Sequence, residues 1–259
     1  IAHGGEGALY FQIRQSQGAS EKFHGAVIDH YGENDTRVFR EVCRVGETLK
    51  AISELAGSEV KSQVAMIYDW DSRWAMEDSK GPRNDGLHHQ EMLLKYYRAF
   101  RKQGMNVDLI DMDCSIEGYQ VLVLPMTYMF KQGFAEKVRA FVEQGGVLIT
   151  TYWSGIADDT DRCDLGGTPH GLMDVLGLRS TEIDGLFDWE ENQFMPVDGN
   201  ELGLFREYTC KYLCDLVRLD GAQALMTYGS DFYQGYPALT VNRYGKGSAW
   251  YVAADAEQV

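Results

Sequence analysis

The sequence predicts an α/β fold built on a doubly wound, parallel sheet. The first observation is a set of short apolar segments rich in β-branched residues, which are typical of strands buried on both faces. The second is a pair of amphipathic segments between them, each followed by a glycine that can end a helix. Strands that alternate with helices in this way favour a doubly wound sheet. The predicted strands are residues 64–68, 107–110, 121–125 and 147–152, and the predicted helices are residues 86–103 and 133–144.

Beyond residue 200 the pattern changes to strands that follow one another without helices. Three apolar runs predict strands within residues 208–219, 224–229 and 237–254. The last run contains Tyr244-Gly245-Lys246-Gly247, which predicts a hairpin turn because glycine adopts the backbone angles that tight turns require.

The first 57 residues predict one strand, a long polar loop and one helix. Residues 8–13 read as a buried strand, and Asp35 or Thr36 can cap the helix, which Gly57 can end. The helix carries one apolar stripe at steps of three and four, formed by Val38, Val42, Val45, Leu49 and Ile52. A lone strand and helix cannot bury a core. We therefore expect two domains, residues 1–57 and 58–259, of which the first is a βα unit of a larger structure.

Composition excludes two classes of partner. The chain has 259 residues, 44% of them hydrophobic, with 24 basic and 39 acidic side chains and a net charge of −15. An acidic chain repels phosphate backbones, so we expect no nucleic acid partner. No apolar run approaches the roughly 20 residues that a membrane helix needs, so we expect no membrane partner either.

The cysteines predict free thiols. None of the five lies in a CxxC pair, so a structural zinc site is not expected. Their odd number and wide spacing favour a reducing, cytoplasmic compartment. Cys210 and Cys214 are four residues apart on a predicted strand, where they share a face but lie too far apart to bond to each other.

Glu21 and His24 are the first candidates for chemistry, because residues three apart on a helix face one way. A Glu-x-x-His pair can bind metal when other helices add carboxylates, and no such carboxylates lie nearby in the sequence. From spacing alone, a surface glutamate beside a capping histidine is the simpler interpretation.

Other candidates follow the predicted strands and helix starts. Asp69 and Asp71, with Trp70 between them, come directly after the first strand of the sheet, where ligands bind in doubly wound folds. His88 and His89 begin a helix, where adjacent rings point about 100° apart and cannot easily share a metal. Ser154 follows the fourth strand, but Tyr152 stands where a nucleophile elbow requires glycine.

Two stretches carry a resemblance to a known family. The run ALYFQIRQSQGASEKFHGAVIDHYG, followed by RVFREV, resembles the family 42 β-galactosidases. In that family, the corresponding run forms the last strand, loop and helix of a (β/α)8 barrel. The stretch from MIYDWDSRWA to FVEQGGVLITTYWSGIADD resembles the trimerisation domain of that family. This implies a flavodoxin-like fold similar to the class I glutamine amidotransferases without their catalytic triad.

The resemblance assigns roles to three residues. Phe11 matches the aromatic wall of the galactose pocket, while Glu21 and His24 match side chains that bind sugar hydroxyls. The family is similar to other retaining glycosidases in using two glutamates, an acid/base and a nucleophile. They come from the fourth and seventh barrel strands, so the resemblance implies no catalytic residue, metal or cofactor within this chain.

The resemblance also implies a homotrimer formed through the α/β domain. Exposed aromatic side chains often anchor such contacts, and we expect Trp70, Trp74 and Trp153 to contribute. The alternative is a stand-alone, non-catalytic assembly or binding module with an amidotransferase-like fold. Its weakness is the isolated βα unit, whose apolar helix stripe would face water.

Overall fold

The computed structural model describes residue 5 and residues 7–83 and 86–257. The chain divides into two compact units, Ile1–Lys61 and Ser62–Val259, which are described in turn. None of the helices in the described stretches combines the length and the apolar character that crossing a membrane requires.

The first unit contains the predicted helix, α1, which spans Arg37–Ala51. Thr36 caps it, because the hydroxyl oxygen accepts the backbone N–H of Phe39 at 3.3 Å. The helix ends before Gly57, and a short 3-10 helix, Ser53–Leu55, follows it. No residue of α1 is buried, so its apolar stripe remains at least partly exposed within the first unit.

The predicted strand at residues 8–13 is wrong for this chain. These residues adopt no strand, and Leu9 and Ile13 are 101% and 69% exposed. In the described part of the unit, the backbone bonds of this stretch are confined to its end, where Gln12 and Ile13 accept from residues 27 and 28 and Arg14 forms an isolated parallel bridge with Ile28. The physical reason is that a strand is stabilised by hydrogen-bonded neighbours along its length, and the described unit supplies one short neighbour.

The second unit contains the four predicted parallel strands. They are β1 Val64–Ile67, β2 Val107–Ile110, β3 Val121–Leu124 and β4 Val147–Thr151. Three helices lie among them along the chain, α2 Trp70–Asp78, α3 His89–Lys102 and α4 Phe134–Glu143. The strands pair in parallel in the order β2-β1-β3-β4, so the alternating pattern predicted this part of the sheet correctly.

Helix α2 is absent from the sequence prediction because it has no apolar stripe. Its buried residues are Ser72 and Met76, whereas Trp70 and Trp74 are 52% and 58% exposed. The side chain of Asp69 fixes its start by accepting the N–H of Asp71 at 3.0 Å and that of Ser72 at 3.1 Å. A cap, rather than hydrophobic periodicity, therefore defines this helix.

The described residues that follow β4, as far as residue 257, form one short helix and seven strands. The predicted hairpin is confirmed, because the last two long strands are antiparallel with Gly247 opposite Tyr244. The elements are α5 Met173–Leu176, β5 Leu178–Gly185, β6 Asn192–Pro196, β7 Tyr208–Leu219, β8 Gln223–Tyr228, β9 Pro237–Tyr244, β10 Gly247–Val252 and β11 Ala254–Ala256.

The sheet is mixed, which corrects the prediction of a doubly wound parallel sheet. Its order is β11-β7-β6-β8-β9-β10-β4-β3-β1-β2, with β5 paired to β7. Strand β10 joins β4 in parallel, and every pairing beyond β10 is antiparallel. The reason is that β10 follows β9 through a tight turn, which reverses the chain, whereas a parallel neighbour requires a crossover connection.

The structure also corrects the predicted separation of Cys210 and Cys214, which both lie on β7. Cys43, Cys114 and Cys163 are exposed free thiols, and Cys210 and Cys214 are buried free thiols. In the pairing of β7 with β11, Cys210 lies opposite Ala256 and Cys214 lies opposite Ala254, across a register shift. Four steps along β7 therefore match two steps along β11, so these cysteines lie closer together than a regular strand allows.

Candidate functional site

The predicted sugar-binding residues Phe11, Glu21 and His24 lie on a single loop of the first unit. The loop is closed by backbone hydrogen bonds from Val27 N–H to the carbonyl of Gln12 (3.0 Å) and from Ile28 N–H to that of Ile13 (2.8 Å). Glu21 lies on a 3-10 helix, Ser20–Phe23, and the N–H of His24 donates to the Glu21 carbonyl at 2.9 Å. The closed loop returns residues 21–24 toward Phe11.

The aromatic rings of Phe11 and His24 meet edge to face. Their centroids are 6.3 Å apart and their planes are inclined by 68°. Phe11 is 69% exposed, and Glu21 and His24 are also exposed. An open aromatic face can pack against the C–H face of a sugar ring, a carboxylate accepts hydroxyl protons, and an imidazole donates or accepts one. The structure therefore brings Phe11 and His24 into contact and keeps Glu21 beside them along the chain.

Gln15 braces this loop, although sequence reasoning did not single it out. Its amide nitrogen donates to the carbonyl of Lys22 at 3.2 Å, and its amide oxygen accepts the N–H of His30 at 3.0 Å. The His30 ring in turn lies 2.7 Å from the carbonyl of Ser16. Gln15 thus ties the 3-10 helix that carries Glu21 to the far side of the loop. No signal in the sequence marks Gln15, because both hydrogen bonds depend on how the loop closes.

A second polar cluster lies at the carboxyl end of β1, where the sequence placed a candidate ligand site. The Lys131 ammonium group bridges Asp69, Asp71 and Asp113 at 2.9, 3.0 and 3.2 Å. Burial alone would lower the pKa of Lys131, but hydrogen bonds to the three carboxylates raise it. Because Asp69 also caps α2, this cluster holds together the loops at the edge of the sheet.

The two adjacent histidines contact different partners. His88 stacks on Tyr212 with ring centroids 4.3 Å apart, and His89 stacks on Tyr68 at 6.0 Å. Burial lowers the pKa of His89 to about 4 despite an opposing hydrogen bond to the carbonyl of Pro125, so this ring is neutral at physiological pH. Within residues 5, 7–83 and 86–257, no group of three or more His, Cys, Asp or Glu side chains could hold a metal ion.

The turn after β4 is structural rather than reactive. Ser154 is 1% exposed, and its hydroxyl oxygen accepts the N–H of Thr127 at 3.1 Å. Trp153 is 6% exposed and packs near Tyr128, with ring centroids 5.9 Å apart. The expectation that Trp153 forms a subunit contact is therefore wrong, because the core already holds its side chain.

Comparisons with known proteins agree with the division of the chain. A family model described as β-galactosidase trimerisation domain matches residues 62–259, and one described as β-galactosidase matches residues 1–52. A β-galactosidase of Alicyclobacillus acidocaldarius is 49% identical over 257 residues, which cover 99% of this chain and 37% of that protein. The chain thus spans a little over a third of the length of this curated relative.

Solved structures give the same result. The cold-adapted β-galactosidase of Rahnella sp. R3 is 51% identical with a TM-score of 0.89, over 95% of this chain and 36% of that one. Gan42B, a GH42 β-galactosidase of G. stearothermophilus, is 36% identical with a TM-score of 0.89, over 96% of this chain and 36% of that one. On these matches, the chain belongs to the family 42 β-galactosidases of the glycoside hydrolases.

Proposed function

We propose that this chain is the C-terminal part of a retaining β-galactosidase that hydrolyses terminal β-D-galactosides. In this proposal it supplies sugar-binding residues and a trimerisation domain, whereas the two catalytic glutamates belong to a part of the enzyme outside these 259 residues. The names of the relatives support the activity, and the fraction of their length that the chain covers supports its being one part of a larger enzyme.

The observation that carries the proposal is the loop that holds Phe11, Glu21 and His24. It carries an exposed aromatic ring in contact with an imidazole, and an exposed carboxylate three residues before that imidazole on the same loop. In a (β/α)8 barrel, substrate is bound by such loops, which follow the carboxyl ends of the strands. We assign residues 1–57 to the last βα unit of that barrel. The unburied apolar stripe of α1 supports this assignment, because the stripe would pack against the rest of the barrel.

Residues 58–259 form, in the same proposal, an α/β trimerisation domain with a fold similar to the class I glutamine amidotransferases. The parallel strands β1–β4 and their helices support the likeness. The buried Ser154 supports a loss of hydrolytic chemistry in this domain, since its hydroxyl group is engaged by the backbone of Thr127. Five free thiols favour a cytoplasmic location.

The activity is tested by comparing the full-length gene product with the isolated chain. We expect the full-length protein to hydrolyse a nitrophenyl β-D-galactoside and to release β-galactose first, as observed by proton NMR before mutarotation. The isolated chain should show no turnover above buffer. Galactoside hydrolysis by the chain alone, or none by the full-length protein, would contradict the proposal.

The trimer contact is proposed to include Trp70 and Trp74. Their ring centroids are 5.7 Å apart, both are more than half exposed, and the Arg73 guanidinium group lies 5.1 Å from the Trp70 ring centroid. Tryptophan and arginine side chains are enriched among the residues that contribute most to protein interfaces.

Replacing both tryptophans by alanine should dissociate the full-length trimer. We expect the dissociation constant to rise by about 10³-fold, since each of the two anchors contributes on the order of 2 kcal/mol. Light scattering coupled to gel filtration would then report the mass of one chain instead of three. The control is Trp189→Ala, because Trp189 is 78% exposed and lies in the same unit. A double variant that remains trimeric at nanomolar concentration would remove these tryptophans from the contact.

A further inference from the structure

The bulge in β7 places two buried cysteines against each other. Asp255 lies opposite Lys211 and Ala254 lies opposite Cys214, so residues 212 and 213 have no counterpart on β11. Tyr212 adopts a positive φ of 68° in this bulge, a backbone conformation that tyrosine rarely takes. The extra residues loop out and draw Cys210 and Cys214 together.

The register of β7 against β11 gives the approximate distance between the Cα atoms of Cys210 and Cys214. Four steps along a regular strand span roughly 13 Å, whereas the two steps between Ala254 and Ala256 span roughly 6–7 Å. Because Cys210 and Cys214 face these two alanines, their Cα atoms are separated by a similar distance. Disulfides join Cα atoms that are about 4.4–6.8 Å apart, so the pair lies at the upper edge of that range. Ala254 and Ala256 also point to one face of β11, as residues two apart do.

The two thiols share one environment. Both side chains are 0% exposed and belong to the same hydrophobic core. The adjacent Cys214 thiol and, after it, burial raise the pKa of Cys210. The phenol of Tyr233, which donates to Asp184 at 2.9 Å, also interacts with Cys214. In the closed fold the raised pKa keeps the Cys210 thiol protonated, and a thiol is a poorer nucleophile than a thiolate.

We propose that Cys210 and Cys214 form a thiol–disulfide couple that is oxidised by a small disulfide such as glutathione disulfide. One cysteine, as the thiolate, attacks the glutathione disulfide to give a mixed disulfide and releases one glutathione thiolate, which takes up a proton. The second cysteine loses its proton and attacks the mixed disulfide, which forms the Cys210–Cys214 bond and releases the second glutathione. Two cysteine thiols are oxidised, and one glutathione disulfide is reduced to two glutathiones.

Access to the buried pair requires local opening. Strand β11 is three residues long and stands at one end of the order of the described sheet, so its detachment uncovers the bulge at a lower cost than global unfolding. Once formed, the disulfide fixes the bulge that carries Tyr212, on which the His88 ring stacks. Formation of this disulfide would therefore make the surface around Tyr212 and His88 more rigid.

The test treats the folded, full-length protein with glutathione disulfide and maps its tryptic peptides by mass spectrometry after acid quenching. Trypsin cleaves after Lys211, so the disulfide would join peptide 207–211 to peptide 212–218, and a reducing agent would separate them. We expect the linked pair to exceed glutathione adducts at these two cysteines by at least about tenfold, because the second thiol is held in place. Cys43, Cys114 and Cys163 report in the same sample that the oxidant has acted.

Two results would overturn the proposal. One is recovery of Cys210 and Cys214 as thiols while the exposed cysteines carry glutathione. The other is glutathione on either buried cysteine without the linked peptides. Cys210→Ser removes the linked species if the assignment is right, and Cys43→Ser should leave its yield unchanged.

Discussion

Replacing Glu21 by glutamine in the full-length enzyme should lower kcat/KM for a nitrophenyl β-D-galactoside by about 10²- to 10³-fold, or about 3–4 kcal/mol. The amide keeps the size of the side chain but removes the charge and exchanges one acceptor for a donor. A carboxylate that accepts hydroxyl protons forms charge-assisted hydrogen bonds, which are about twice as strong as neutral ones. In the proposed site, glutamine would also leave a sugar hydroxyl group without its acceptor, and an unpaired polar group that is shielded from water costs free energy.

Two substitutions of His24 should separate the role of its ring nitrogens in sugar binding from the role of its ring in packing. The ring packs edge to face against Phe11, with centroids 6.3 Å apart. His24→Phe retains an aromatic ring and removes both nitrogens, whereas His24→Ala removes the ring as well. If the imidazole binds a sugar hydroxyl group, both variants should lose activity, and their kcat/KM values should agree within a few fold. If His24 only supports Phe11, His24→Phe should remain close to the wild type.

The control for Glu21 is Glu54→Gln. Glu54 is an exposed glutamate on the 3-10 helix Ser53–Leu55 of the same unit, so it matches Glu21 in side chain and local structure but lies outside the loop. We expect its kcat/KM to equal that of the wild type. A Glu21→Gln enzyme whose kcat/KM stays within about threefold of the wild type, with normal folding by circular dichroism, would remove Glu21 from the sugar site.

Asp215→Asn should remove a contribution of about 4 kcal/mol by which Asp215 lowers the stability of the protein between pH 4 and pH 7. Asp215 lies on β7 and is 0% exposed. Burial raises the pKa of its carboxyl group from 3.8 to about 7, against an opposing hydrogen bond from the Tyr251 hydroxyl to Oδ2. A backbone hydrogen bond from Trp153 also opposes the shift, but full burial removes the water that would otherwise stabilise the ionised carboxylate.

The direction in which Asp215 changes the stability with pH depends on which state, folded or unfolded, holds the proton. Below pH 4, Asp215 is protonated in both the folded and the unfolded chain, and its full contribution to stability is present. Between pH 4 and pH 7 the unfolded chain releases a proton that the folded chain retains. The free energy of unfolding then falls by about 1.4 kcal/mol per pH unit, or about 4 kcal/mol in total. Above pH 7 both states are ionised, and this contribution no longer changes.

Urea unfolding of the wild type and Asp215→Asn at pH 5 and pH 8 measures this difference. The other titrating groups contribute equally to both proteins, so they cancel in the comparison. We expect the wild type to lose about 3 kcal/mol more than the variant between these pH values. Asp198→Asn, at an exposed aspartate of the same unit, should follow the wild type. Parallel pH profiles for wild type and Asp215→Asn would show that burial does not control this carboxyl group.

The candidate sugar site could be predicted only in part from the residues themselves. Spacing alone left Glu21 and His24 open between a surface pair and a ligand pair, and the resemblance to a family selected the second interpretation. The contact of Phe11 with His24 joins residues 13 positions apart, and no local pattern encodes it. Likewise, Gln15 gains its bracing position through hydrogen bonds to Lys22 and His30, which depend on how the loop closes.

Local periodicity determined much of the fold. The helices α1, α3 and α4, the parallel strands β1–β4 and the hairpin between β9 and β10 all follow from patterns within a single segment, because the spacing of apolar residues and the position of glycine act over a few residues.

Tertiary structure alone decided the rest. The placement of β10 beside β4 made the sheet mixed, the missing neighbours left residues 8–13 outside any strand, and the register of β7 against β11 brought Cys210 to Cys214. These outcomes depend on which strands pair and in what register, and pairing is set by contacts between residues far apart in the chain.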